Sequence, residues 1–83
     1  MESKTCRNEI LISMKALEAR LGREVFRLDE IVNEVLAIGH HRESTIRTHV
    51  ISRMCAQSPK NHGIVYADLD RVGRGLYRQR RED

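Results

Sequence analysis

The sequence predicts a small α+β domain, three helices followed by one antiparallel hairpin. Two observations carry that expectation. In three separate stretches before residue 57, apolar residues recur at spacings of three and four, the period of a helix with one buried face. After residue 68 the pattern changes to two short runs on either side of Gly73-Arg74-Gly75, which reads as strand, turn and strand. A chain of 83 residues forms one domain, spanning 8–79, and leaves little room for a deep pocket. A hydrophobic content of 40% supplies a core, and the charges are mixed in sign, so an ordered fold is expected.

Residues 1–7 are polar and read as a flexible N-terminus. The first helix covers 8–21, with Ile10, Met14, Leu17 and Leu21 as its stripe, Asn8 as N-cap and Gly22 as C-cap. A brief strand is expected within 24–27. The second helix covers 28–37, with Leu28, Ile31, Val32, Val35 and Leu36 inward. Asp29 and Glu30 lie in its first turn, where they suit the helix dipole. Gly39 ends it, and His40-His41-Arg42 connects it to a third helix at 43–57.

In that third helix Ile46, Val50 and Met54 form the buried ridge, and steps of about 100° place Ser44, Thr45, Thr48, Ser52 and Cys55 on the opposite side. Pro59 forbids continuation, and 58–63 reads as a loop. Ile64, Val65 and Tyr66 are expected to pack against the helices. Two strands, 69–72 and 76–79, complete the domain, with Tyr77 and either Val72 or Leu76 closing the core. Loops of two, three or four residues all fit the turn. Residues 80–83 form a charged tail.

Helix, short strand, helix, turn, helix, hairpin is the element order of a winged helix. The stretches FRLDEIVNEVLAIGHHRESTIRTHVISRM and DLDRVGRGLYRQ resemble bacterial winged helix-turn-helix domains. The second is similar to the wing of small domains found alone or beside restriction-type nuclease domains. The resemblance covers nearly the whole chain and implies double-stranded DNA binding, as a regulator or as an accessory recognition module. One departure is the connection Gly39-His40-His41-Arg42, longer than the shortest turns of this motif, which leaves the approach of the third helix open.

The charges agree with that implication. Residues 1–41 hold six basic and seven acidic side chains, whereas 42–81 hold nine basic and three acidic. Arginine outnumbers lysine twelve to three, and its planar fork suits phosphates and guanine edges. In a helix-turn-helix the second helix enters the major groove by its N-terminal half. The expected contacts there are Arg42, Ser44, Thr45, Arg47, Thr48 and Ser52. Glu43 caps the helix or accepts from a cytosine amino group. In the wing the expected contacts are Arg74 at the tip and Arg71 and Arg78 on the strands, unless these pair with Asp68 and Asp70.

Other chemistries find little support. His40, His41, His49, His62, Cys6 and Cys55 lack the spacings of a zinc site. Nucleotide-binding glycine patterns and nucleophile motifs are absent, so no enzyme, small-molecule substrate or cofactor is expected. Two cysteines make no disulfide framework, and no apolar run reaches membrane-span length, which points to the cytoplasm. A homodimer spanning two half-sites fits the fold, although no heptad supports it. The alternative function is a winged helix that binds proteins and not DNA. It would expose apolar residues where this chain has arginine, and Ile51 is the candidate for that.

Overall fold

A computed structural model of the chain describes residues 5–56 and 66–80. The expectations placed on 1–4, on the loop at 58–63, on Ile64 and Val65 and on the last three residues lie outside these. The described elements are α1 (Cys6–Leu21), β1 (Phe26–Arg27), α2 (Leu28–Leu36), α3 (Glu43–Thr48) with a π-helical turn (His49–Arg53), β2 (Leu69–Gly73) and β3 (Leu76–Gln79). The strands form one antiparallel sheet in the order β1-β3-β2. This is a winged helix, with α2 and α3 as the helix pair and β2-β3 as the wing.

Helix α1 begins earlier than its apolar period predicts. Its cap is Thr5, whose side chain accepts from the backbone N–H of Asn8 at 3.2 Å, and not Asn8 itself. Residues 5–7 are consequently ordered: Cys6 is buried, and Arg7 makes a two-bond pair with Asp68 at 2.7 and 2.9 Å. Gly22 closes the helix in the left-handed region at φ +69°, donating to the carbonyl of Glu18. The buried stripe is Cys6, Glu9, Ile10, Ser13, Met14 and Leu17. Leu21 does not continue it; at the end of α1 it is 44% exposed.

Helix α2 inserts Ile31, Val32 and Val35, with Leu28 and Leu36 packed against the cluster as partly buried members. Its first turn is held by Glu30, which accepts from the Arg27 backbone N–H at 2.8 Å and from the Arg23 guanidinium at 2.6 Å. These bonds, the one to Arg23 above all, hold the Glu30 carboxyl down at about 2.

Six α-helical residues in α3 are too few to be stable alone in water. Burial holds the element. Ile46, Val50 and Met54 have no exposed surface, and each such side chain contributes roughly 1.5–3 kcal/mol. The helix was expected to run to 57 with one period, but it widens at His49–Arg53 and closes with Met54 N–H donating to the His49 carbonyl at 2.8 Å. Two side chains bond to backbone carbonyls just ahead of the widening. Thr48 Oγ1 donates to the Ser44 carbonyl at 2.9 Å, and His49 Nδ1 sits 3.0 Å from the Thr45 carbonyl. Side-chain bonds to carbonyls one turn back bend a helix and loosen its regular ladder. A consequence is that Cys55, expected on the outer side, is buried. The helix has already ended, and Cys55 forms a bridge with Leu69 of β2.

The wing turns through two residues, Arg74 and Gly75, between the paired residues Gly73 and Leu76. The register shifts between Arg71 and Gly73, so Val72 is bulged out of the alternation and is 45% exposed. The strand residues that close the core are Leu69 and Tyr77, with Phe26 of β1 opposite Tyr77; Leu76 is half-buried, and Val72 takes no part. Tyr66 was expected to pack inward but is exposed, with the Arg7 guanidinium 4.4 Å over its ring.

Candidate nucleic-acid interface

The outward side of α3 is a shallow polar depression. Ser44, Thr45 and Thr48 line it together with His49 and Arg53. Ser44 and Thr48 are exposed, and Thr45 is half-buried. The Thr48 hydroxyl spends its proton on the Ser44 carbonyl and presents its lone pairs outward. Arg42, just before the helix, is exposed, and Ser52 is exposed in the π turn. Arg53 and His49 were not among the expected contacts. A regular 100° step leaves Arg53 beside the buried ridge, and the widened turn carries it onto the hydroxyl side.

Arg47 is the residue whose surroundings differ most from expectation. Its Nε donates to Glu43 Oε2 at 2.8 Å, and its Nη2 donates to Asp29 Oδ1 at 2.9 Å. Glu43 thus pairs with Arg47 one turn on and does not act as a cap. Asp29, read from the sequence as a dipole residue of α2, joins that helix to α3. Hydrogen bonding by Glu43, then by Asp29, raises the Arg47 pKa further above its already high value.

In the wing, Arg74 is exposed at the turn and stands beside Arg27, Leu28 and Asp29 around a shallow hollow. The wing tip therefore adjoins the residue that grips Arg47, so Arg74 and α3 share one side of the molecule. Arg71 and Arg78 do not share a side with each other. Arg71 lies opposite Tyr77 and Asp70 opposite Arg78, and neighbouring residues of a strand face opposite sides of the sheet. Burial pushes the Tyr77 phenol up, and the Arg71 charge acts against that rise, as its position on the same face requires. The expectation that all the wing arginines present to one partner surface is thus corrected. Asp68 does not pair with the wing arginines either; its partner is Arg7 on α1.

Ion pairing separates the arginines by location with one exception, Arg47, which is paired although it lies on α3. Arg7, Arg20 and Arg23 are bound to Asp68, Glu34 and Glu30. Arg42, Arg53, Arg74 and Arg78 are exposed and form no ion pair among the described residues.

Behind the connection between α2 and α3 lies a carboxylate that the apolar period of α1 does not single out. Glu9 of α1 is 5% exposed, its Oε2 is hydrogen-bonded to His40 Nδ1, and its Oε1 lies 3.7 Å from His41 Nε2. The longer connection of this helix pair is thereby tied to α1. Its negative charge, together with burial as the larger cause, pushes the Cys6 thiol up. Among the described residues no three His, Cys, Asp or Glu side chains converge as a metal site, and no helix is long and apolar enough to cross a membrane.

A family model described as a domain of unknown function, DUF7669, matches residues 10–79, most of the chain. The chain belongs to this family. The matched region of this DUF7669 domain begins inside α1 and ends with the last residue of β3, so it takes in the helix pair and the wing. No curated protein and no solved structure matches the chain.

Proposed function

We propose that this DUF7669 domain binds double-stranded DNA, with α3 toward the major groove and the wing turn toward the backbone or minor groove beside it. The reading rests on the exposed arginines without ion pairs that border α3 and the wing tip; Arg47, between them, is held by Asp29 and Glu43. On α1 and the α1–α2 junction, Arg7, Arg20 and Arg23 are neutralised within the fold. Arg42, Arg53 and Arg74, which border the α3 side and the wing tip, are exposed with no ion pair among the described residues. Exposed guanidinium groups without internal carboxylates are available to phosphates, and the hydroxyls of Ser44, Thr45 and Thr48 between them suit phosphate oxygens and base edges. The basic half of the chain and its resemblance to bacterial winged helix-turn-helix domains support the same reading. It describes a non-enzymatic, cytoplasmic module, acting as a regulator or as the recognition part of a larger protein, alone or as a homodimer.

The test is a fluorescence-anisotropy titration of labelled duplexes over a salt series. Binding should weaken with salt at a log–log slope of about −0.9 for each phosphate neutralised. Absence of duplex binding at low salt overturns the proposal and favours the second reading, a protein-binding winged helix. That reading draws on Ile51 and Val72, which are 43% and 45% exposed on the π turn and the wing.

A further inference from the structure

The grip on Arg47 has a consequence for what this surface reads. The inference rests on the DNA-binding proposal and deepens it. A guanidinium carries five N–H groups. Glu43 takes one from Nε and Asp29 takes one from Nη2, which leaves both protons of Nη1 and the second of Nη2. Those remaining protons can still serve a pair of acceptors side by side. The three charged groups together carry net −1, and the carboxylates are open to solvent, with the Asp29 side chain 74% exposed and that of Glu43 56%. A phosphate approaching Arg47 meets two like charges within contact distance of the guanidinium. A base edge carries no net charge and meets no such repulsion.

The donor and acceptor pattern narrows the partner further. In the major groove a G·C pair presents two acceptors, guanine N7 and O6, beside one donor, the cytosine amino group. The Arg47 cluster offers the complement: free guanidinium protons flanked by carboxylate oxygens that accept. We propose that Asp29 and Glu43 are positioning residues that keep Arg47 off the phosphates and direct it to a G·C base pair. On this assignment Arg47 adds selectivity and little general affinity, whereas Arg42, Arg53 and Arg74 supply the phosphate contacts.

The test compares wild type with Asp29→Asn, Glu43→Gln, Arg47→Ala and the double variant Asp29→Asn/Arg47→Ala. Each is titrated over a salt series with two duplexes of equal length, one of A·T pairs alone and one of G·C pairs. Circular dichroism verifies the fold of each variant, and both carboxylates are exposed, so either single substitution serves if the other misfolds. Wild type should prefer the G·C duplex by roughly fivefold or more, and Arg47→Ala should erase that preference. Asp29→Asn should bind the A·T duplex several-fold more tightly, with a salt slope steeper by about 0.9, because Arg47 then takes a phosphate. The double variant should lose that gain. Glu34→Gln is the control for added charge. It releases Arg20 from its carboxylate on the α1–α2 side and should leave the slope unchanged. Wild-type binding with neither carboxylate variant gaining A·T affinity or slope overturns this inference alone. An equal gain in Glu34→Gln overturns it as well, since the effect would then be net charge. No binding by any form overturns the DNA-binding proposal and this inference with it.

Discussion

The backbone N–H of Leu28, the first residue of α2, donates to the carbonyl of Gly75 in the wing turn at 3.0 Å. One hydrogen bond thus fixes the wing tip against the start of the helix pair, and it depends on the conformation of Gly75. That residue sits at φ +68°, in the left-handed region, with open space where a Cβ would stand. A side chain there meets no atoms, so the cost of adding one is backbone strain alone, about 1 kcal/mol for alanine. Gly75→Ala should lower stability by that amount in urea denaturation, and Gly75→Asn by less, because asparagine tolerates this region better. Both should weaken duplex binding more than their stability loss predicts, since the turn carries Arg74.

Glu30 ties the entry of α2 to Arg23 and to the Arg27 backbone, and its carboxyl is held at about 2 against an ordinary 4.5. A group whose pKa is lower when folded stabilises the fold above its unfolded pKa and loses that contribution as pH falls toward the folded one. The window is therefore pH 4.5 down to 2. The side chain is 30% exposed, so solvent screening reduces the contribution to about 1 kcal/mol. Glu30→Gln should be destabilised by that amount at neutral pH, and its stability should converge on wild type near pH 2. Chemical denaturation at a series of pH values measures the difference.

The Glu9 and His40 pair links α1 to the connection between α2 and α3. Removing His40 leaves a carboxylate buried with one of its two close partners gone, and an unsatisfied buried group of this kind costs about 2 kcal/mol. His40→Ala and Glu9→Ala should each destabilise the domain. The double variant should be less destabilised than the sum of the two, by about 1 kcal/mol or more, because the second change removes the group that the first left stranded. Strict additivity in a denaturation cycle would show that the two side chains act independently.

Much of the fold was legible because local rules and packing agree. Gly22 and Gly75 mark turns that need positive φ, and the spacing of Ile46, Val50 and Met54 marks a ridge that is wholly buried. Expectation failed where one period was carried past a change in geometry. Cys55 turns inward because the helix widens and ends before it, and Val72 turns outward because a bulge breaks the strand alternation. Glu9 was illegible for a different reason: a carboxylate within an apolar stripe reads as surface until its partners, distant in sequence, are placed beside it. The same holds for Arg47. Its pairing with Glu43 follows helix spacing, but Asp29 is far along the chain and no local pattern announces it. The candidate site was thus readable in its residue types and in the helix that bears them, but not in which of its arginines are engaged.

That distinction separates two arginines of equal charge. Arg74 is exposed in the wing turn with no ion pair among the described residues, whereas Arg20 is bound to Glu34 through two hydrogen bonds of 3.2 and 2.8 Å between α1 and α2. If phosphates bind the α3 and wing side, Arg74→Ala should weaken every duplex by a similar factor and reduce the magnitude of the salt slope by about 0.9. Arg20→Ala should leave both quantities where they are, although it removes the same charge, because its guanidinium lies between α1 and α2 and is already satisfied. Equal losses from the two substitutions would mean that binding follows total charge and that no face of the domain is preferred. A larger loss from Arg20→Ala would place the contact on the helical side and remove α3 from the interface. Anisotropy titrations of both variants against one random-sequence duplex, at matched salt, decide among these outcomes.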